Sequence, residues 1–175
     1  MANDEKAPVI PEYTSLGARN YNPVNLNTMI KWDNMVGVHP GDPVLGRPDL
    51  AIFKDMPSGM RAALRNMYNA ALNRPKSTVQ EQVMHFASTS KPEEVANYVK
   101  YLKENGVSPL ARLMSVDPMQ LTQLMAEFET GHEITRDHPD WQTALQMLQV
   151  EGFKPSLGGI KPEAEMLKPY SRKKV

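Results

Sequence analysis

Between residues 57 and 150 the apolar positions recur at steps of three and four, the period of a helix with one buried face. Pro57 and Ser58 open the first such stretch, in which Met60, Ala63, Leu64, Met67, Tyr68, Ala71 and Leu72 share a side, and Pro75 stops it. Ser77-Thr78-Val79-Gln80-Glu81 has capping-box spacing and leads into Val79, Val83, Met84 and Phe86. Ser90-Lys91-Pro92-Glu93 starts a third helix with Val95, Tyr98, Val99 and Leu102 inward, and Gly106 ends it. Ser108-Pro109 begins a short helical turn carrying Leu110, Leu113 and Met114. Asp117-Pro118 caps a helix with Leu121, Leu124, Met125 and Phe128 inward and Gly131 at its end. His138-Pro139-Asp140-Trp141 leads into the last, with Ala144, Leu145 and Leu148.

The pattern differs at both ends. Residues 1–16 hold Pro8 and Pro11 without periodicity and read as an N-terminal arm. From Leu16 to Asp55 turn chemistry prevails (Asn20-Tyr21-Asn22-Pro23, His39-Pro40-Gly41-Asp42-Pro43, Gly46-Arg47-Pro48-Asp49). The apolar stretches between, near Met29–Trp32 and Leu50–Phe53, predict two short strands or an irregular subdomain. Residues 151–175, with Pro155, Gly158-Gly159, Pro162 and Pro169, read as a basic C-terminal arm with a short helical turn at 163–167. The expectation is therefore a mainly α, compact domain of five to six helices over residues 17–150, with a short irregular or β-hairpin N-terminal part and extended arms at 1–16 and 151–175.

Composition narrows the function classes. A chain of 175 residues with 41% hydrophobic and 23% charged residues fits one folded domain. Its 20 basic and 20 acidic side chains leave no net charge, whereas duplex binding needs a basic excess. The exception is residues 154–175, with six basic and two acidic groups; such a short charged end is ordinarily a solvated tail. The absence of cysteine removes disulfides, zinc ribbons and thiol catalysis. No apolar run approaches the roughly 18–20 residues of a membrane span. The opening Met1-Ala2-Asn3-Asp4-Glu5-Lys6 is polar and acidic, unlike a signal peptide, so synthesis and retention in a cytoplasm are expected.

Candidate chemistry gathers at Glu127-Phe128-Glu129-Thr130-Gly131-His132-Glu133, with Asp137 and His138 nearby. No metal site is expected there: the two histidines are six apart, and Gly131 breaks the helix before the first of them. A solvated helix end is the plainer reading. The chemical reading is a single catalytic acid, Glu129, beside Phe128 and three residues after Ala126; burial would raise its pKa toward what a proton donor needs. His39 and His85 lack a serine or cysteine partner at motif spacing, and His85, beside Phe86, reads as structural. No glycine-rich phosphate loop is present and no cofactor is expected. The methionines, Met67, Met125 and Met147 among them, read as core.

Ala18-Arg19-Asn20-Tyr21-Asn22-Pro23-Val24-Asn25-Leu26 resembles the Arg-Asn-Asn-Asn-Pro-Gly-Asn-Ile signature of a phage and prophage family of virion structural proteins related to lysozyme-like transglycosylase domains. In the same order, Trp32, Leu50-Ala51-Ile52-Phe53, Gly59-Met60-Arg61-Ala62, Phe86-Ala87, Glu94 with Tyr98-Val99, Asp117 to Leu121 and Phe128-Glu129-Thr130-Gly131 are similar to that family's further motifs. The likeness spans about residues 18–131. It implies a lysozyme-like fold, a virion location after synthesis in the host cytoplasm, other virion proteins and peptidoglycan as partners, Glu129 as catalytic acid, and glycan contacts at Asn20, Asn22, Asn25 and Tyr98.

Three positions depart from the family: Val24 replaces a glycine, Ser88-Thr89-Ser90 replaces a Pro-Pro step, and Thr130 replaces an asparagine. Drift at turn and site positions implies a scaffold with reduced or absent catalysis. The leading expectation is a minor structural or ejection-related virion component that packs against its neighbours through its arms. The alternative is a virion-associated lytic transglycosylase or muramidase acting as the particle penetrates the wall.

Overall fold

The computed structural model describes residues 12–87 and 91–153. Its centre is α2 (Met56–Asn73), capped by Asp55, whose carboxylate accepts from the Ser58 amide at 2.9 Å, with Pro57 in the first turn where its missing N–H costs nothing. The apolar stripe read from the sequence is buried: Met60, Ala63, Leu64, Met67 and Ala71 lie inside. Against it pack α5 (Pro118–Glu129) and α6 (Asp140–Val150), which contribute Leu121, Leu124, Met125, Trp141 and Leu148. The helices α3 (Val79–Phe86) and α4 (Pro92–Glu104) pair with each other, and α4 leans on α5. The anticipated capping box forms at Thr78 and Glu81, and Asp117 caps α5.

Among the described residues there are six helices and one two-stranded sheet, so the mainly α architecture and the hairpin both hold. Details differ. The first strand is β1 (Met35–His39) rather than residues 29–32, paired antiparallel with β2 (Leu50–Phe53) and interrupted by a bulge between Met35 and Gly37. Residues 29–32 form no strand: the Trp32 indole folds back to donate to the Asn27 carbonyl at 2.8 Å, and Asn34 turns the chain with a φ of 61° before β1 begins. A four-residue helix, α1 (Leu16–Arg19), capped by Ser15, is too short to leave a periodic signal. The turn near Ser108 becomes a 3₁₀ segment at Leu113–Ser115; Leu110 and Met84, placed on apolar stretches by periodicity, are exposed.

Two close approaches seat the loop after α1. A methyl group on Gly59 would overlap the Tyr21 carbonyl oxygen, so the first turns of α2 admit the loop only with glycine there. The fully buried Asn22 then joins loop to sheet: its Oδ1 accepts from the Leu26 amide at 2.7 Å, and its Nδ2 donates to the Leu26 and Ala51 carbonyls, each at 2.9 Å. The Phe53 amide donates to the Asn20 carbonyl and the Ala51 amide to that of Leu26, so this loop lies along β2.

The folded body also reaches further than 17–150. Glu133 accepts from the Thr14 amide at 2.9 Å and the Ser15 amide at 2.5 Å, fastening residues 13–15 to the far end of α5. At the other end Gly152 turns with a φ of 80°, the Phe153 amide donates to the Leu148 carbonyl, and the Phe153 ring meets Tyr68 edge-on at 5.0 Å. Buried Arg61 clamps Glu151 through two bonds of 2.5 and 2.6 Å and reaches Asp33 at 3.0 Å. The remainder of both arms and the expected turn at 163–167 lie outside the described residues.

Gly59→Ala should lower stability by about 1–3 kcal/mol or more, although alanine is the better helix former. Gly37→Ala, whose methyl would meet Ile52 at 3.5 Å, should be tolerated; thermal unfolding of the two variants checks the contrast. The amides that bind Glu133 hold its carboxyl down at about 2, below the usual 4.5. That lowered value means the clasp stabilises above pH 4.5 and is lost as pH falls toward 2. Hydrogen-exchange protection at Thr14 and Ser15, relative to each amide's intrinsic rate, should fall across that interval, and at neutral pH in Glu133→Gln.

Candidate functional site

The last turn of α5 and the turn that follows it carry three acids whose surroundings separate them. Glu127 is the most buried, and it is fully engaged: its Oε1 accepts from the Arg136 backbone amide and guanidinium at 2.8 and 3.1 Å, and Tyr101 donates to its Oε2 at 2.7 Å. Glu133 is the N-terminal clasp. His132 sits at a φ of 68° beyond the helix end and packs edge-on against Tyr101. These side chains diverge, and among the described residues none groups with other possible ligands as a metal site would require.

Glu129 is different. It points toward the loop after α1, where Asn25 Nδ2 donates to its Oε2 at 3.0 Å, and toward α4, where it receives a hydrogen bond from the Tyr98 hydroxyl. That hydroxyl has one proton and also lies 3.5 Å from the Met125 carbonyl; the carboxylate is the stronger acceptor. Burial pushes the Glu129 carboxyl above its ordinary value, and the bonds from Asn25 and Tyr98 pull part of the way back. Its acidity is set by burial and these two donors, with no neighbouring carboxylate adding repulsion. The Tyr98 hydroxyl is itself pushed well up by burial and by Glu129, so it remains a donor.

Backbone geometry aims Asn25. Its φ is 53° and that of Tyr21 is 50°, left-handed conformations that asparagine tolerates better than most residues. Gly17 leaves room beside it: a β-carbon there would stand 2.8 Å from the Asn22 carbonyl oxygen and 3.0 Å from Asn25 Oδ1. Asn25 Oδ1 and Asn20 Nδ2 are buried without a hydrogen-bond partner among the described residues.

Beside Asn25 opens a groove of about 480 Å³. Its lining comes from α2, with Asn66, Asn69 and Asn73 at a spacing of three and four, from α3, with Gln82, His85 and Phe86, and from the loop after α1, with Asn27 and Trp32. Amides, two aromatic rings, Arg74 and His85 thus face one another, and no carboxylate is among the lining groups.

Five positions singled out in the sequence therefore behave in different ways. Glu129, Asn25 and Tyr98 meet. Asn22 does not reach a ligand, because all its polar capacity goes to backbone groups, and buried Asn20 serves as the C-cap of α1. Tyr98 is buried and reaches the acid rather than the groove. His85 is exposed on the groove rather than structural. The departures at Val24 and Thr130 leave the site standing: Val24 packs in the core without a positive φ, and Thr130 Oγ1 donates to the Ala126 carbonyl and accepts from the Ile134 amide. Positions 88–90 lie outside the described residues. The groove itself escaped sequence reasoning, although the asparagines at 66, 69 and 73 were a signal: they share one face of a helix whose other face is apolar.

A carbon-detected titration of Glu129 should give a pKa above 4.5. Asn25→Ala and Tyr98→Phe should each raise it further, since each removes a donor that favours the anion. Because the native value lies above the unfolded one, Glu129 should make the fold more stable as pH falls through that interval, opposite in sign to Glu133.

Searched against known proteins, the chain matches no family model and no curated protein.

Proposed function

We propose that this chain is a phage-particle component whose helical body acts on peptidoglycan, with Glu129 as its single general acid and base. The observation that carries this reading is the half-buried Glu129 carboxyl, held above its ordinary pKa by desolvation and joined through Asn25 to a groove whose lining is rich in amides and holds two aromatic rings. Side-chain amides offer both a donor and an acceptor, which suits the acetamido groups of an N-acetylated glycan. Flat rings such as Trp32 and Phe86 suit the apolar faces of sugar rings. The placement in a particle rests on the resemblance carried by residues 18–131.

Glycoside hydrolysis usually employs two carboxylates across the scissile bond. Here one carboxyl is in place, and the chemistry that needs only one is intramolecular. Protonated Glu129 gives its proton to the glycosidic oxygen, and the C–O bond to the anomeric carbon breaks. The sugar's own 6-hydroxyl then closes on that carbon and returns its proton to the Glu129 carboxylate, leaving a 1,6-anhydro ring. Asn25 and Tyr98 hold the carboxyl in place throughout and stabilise it once it has become the base. Catalytic pKa tuning of this kind uses burial as the dominant cause, as at Glu129.

A non-catalytic assembly role has its own support. The hairpin and its loop expose Val36, Val38, Val44 and Leu45, the third with 91% of its surface open, and this apolar edge suits a neighbouring virion protein. Among the described residues no helix is long and apolar enough to cross a membrane.

Purified full-length protein incubated with labelled peptidoglycan should release soluble anhydro-muropeptides, lighter by one water than hydrolysis products. Glu129→Gln should reduce that release by about 10²-fold or more, the usual contribution of a general acid. Release of fragments by Glu129→Gln at the wild-type rate would remove Glu129 from the chemistry. No release by either protein, combined with a fixed stoichiometry in purified particles, would leave the assembly role alone.

A further inference from the structure

At the end of α2 the groove holds one full positive charge. Arg74 is the C-cap of α2, and its guanidinium donates to Gln82 Oε1 at 2.6 Å. Gln82 is 2% exposed, so its amide cannot swing away and it fixes the plane of the guanidinium. None of the ion pairs among the described residues includes Arg74, and the groove lining contains no carboxylate to neutralise it. A guanidinium has five N–H donors, and a neutral amide oxygen engages only part of them. By contrast, buried Arg61 is matched with two carboxylates, which is how this fold treats an arginine whose work is structural.

We infer that Arg74 is a specificity-determining residue: it receives the free lactyl carboxylate of an acidic N-acetylated sugar whose peptide has been removed, so the site prefers peptide-free, lactyl-bearing glycan to neutral glycan of the same length. The inference rests on the glycan reading of the groove and adds an end-to-end order to it. Asn69 and Asn73 face the acetamido groups, Arg74 takes the acidic substituent, and Asn25 at the other side of the lining leads to Glu129. Planar recognition of a carboxylate by a pre-positioned guanidinium supplies both charge and direction. His85, on the adjacent α3, adds a further hydrogen-bonding group at the same wall.

The test uses the full chain carrying Glu129→Gln, which holds ligand without cleaving it. Two probes of equal length are compared by calorimetry: neutral chitotetraose, and the peptide-free tetrasaccharide of alternating N-acetylglucosamine and N-acetylmuramic acid. The acidic probe should bind about tenfold or more tightly, and the preference should shrink with added salt. Arg74→Met should abolish the preference, and Arg74→Lys, which keeps the charge without the fork, should restore part of it. Equal binding of both probes would overturn the role of Arg74 while leaving the glycan reading intact. Binding of neither probe would overturn both. A preference that survives in Arg74→Met would assign the carboxylate elsewhere.

Discussion

The Tyr21 carbonyl oxygen rests against the Cα of Gly59, at a distance that no side chain permits. This contact lets the loop after α1 lie on the first turns of α2, the helix against which α5 and α6 are stacked. Once the loop is there, Asn22 ties it to β2 through its bond to the Ala51 carbonyl and closes the loop on itself through two bonds to Leu26. Asn25 is then held at a positive φ, with its amide directed at Glu129. The acid is thus positioned by a chain of contacts that begins at a glycine far away in sequence. A buried amide that is fully satisfied stiffens its surroundings, which an apolar residue of the same size would not do.

Electrostatics follow from that placement. Glu127, Glu129 and Glu133 lie within seven residues of sequence, yet one is ion-paired, one is buried with neutral donors and one is spread over backbone amides. Only the middle one combines desolvation with incomplete compensation, which is what raises a carboxyl above its ordinary value. Neutral donors such as Asn25 and Tyr98 orient the group without a cation that would force ionisation. Cations near the other two acids, or amides at their tips, act in the opposite direction.

The groove and the hairpin edge divide the surface into two kinds of work. Along α2 and α3 the groove is lined by amides, Phe86, His85 and the Arg74 guanidinium. The hairpin and its loop instead expose valines and a leucine. The two surfaces belong to different elements of the fold.

The helices were legible because their determinants are local. Asp55, Thr78 and Asp117 cap where a capping residue belongs, and the three- and four-residue apolar steps state which face turns inward. Glu129 was singled out in the sequence from its apolar neighbours, and the structure shows what the sequence could not, its bond from Asn25. Tertiary structure decided what local rules cannot carry. Asn20, Asn22 and Asn25 look alike in sequence, but only contacts with β2 and α5 make one a cap, one a clamp and one a partner of the acid. The exposure of His85, the pairing of Arg61 with Glu151 across 90 residues, and the meeting of α2 with α3 at the groove all depend on packing between distant segments. Burial and charge compensation are properties of the assembled fold. A residue's neighbours in sequence determine its helix, and its neighbours in space determine its chemistry.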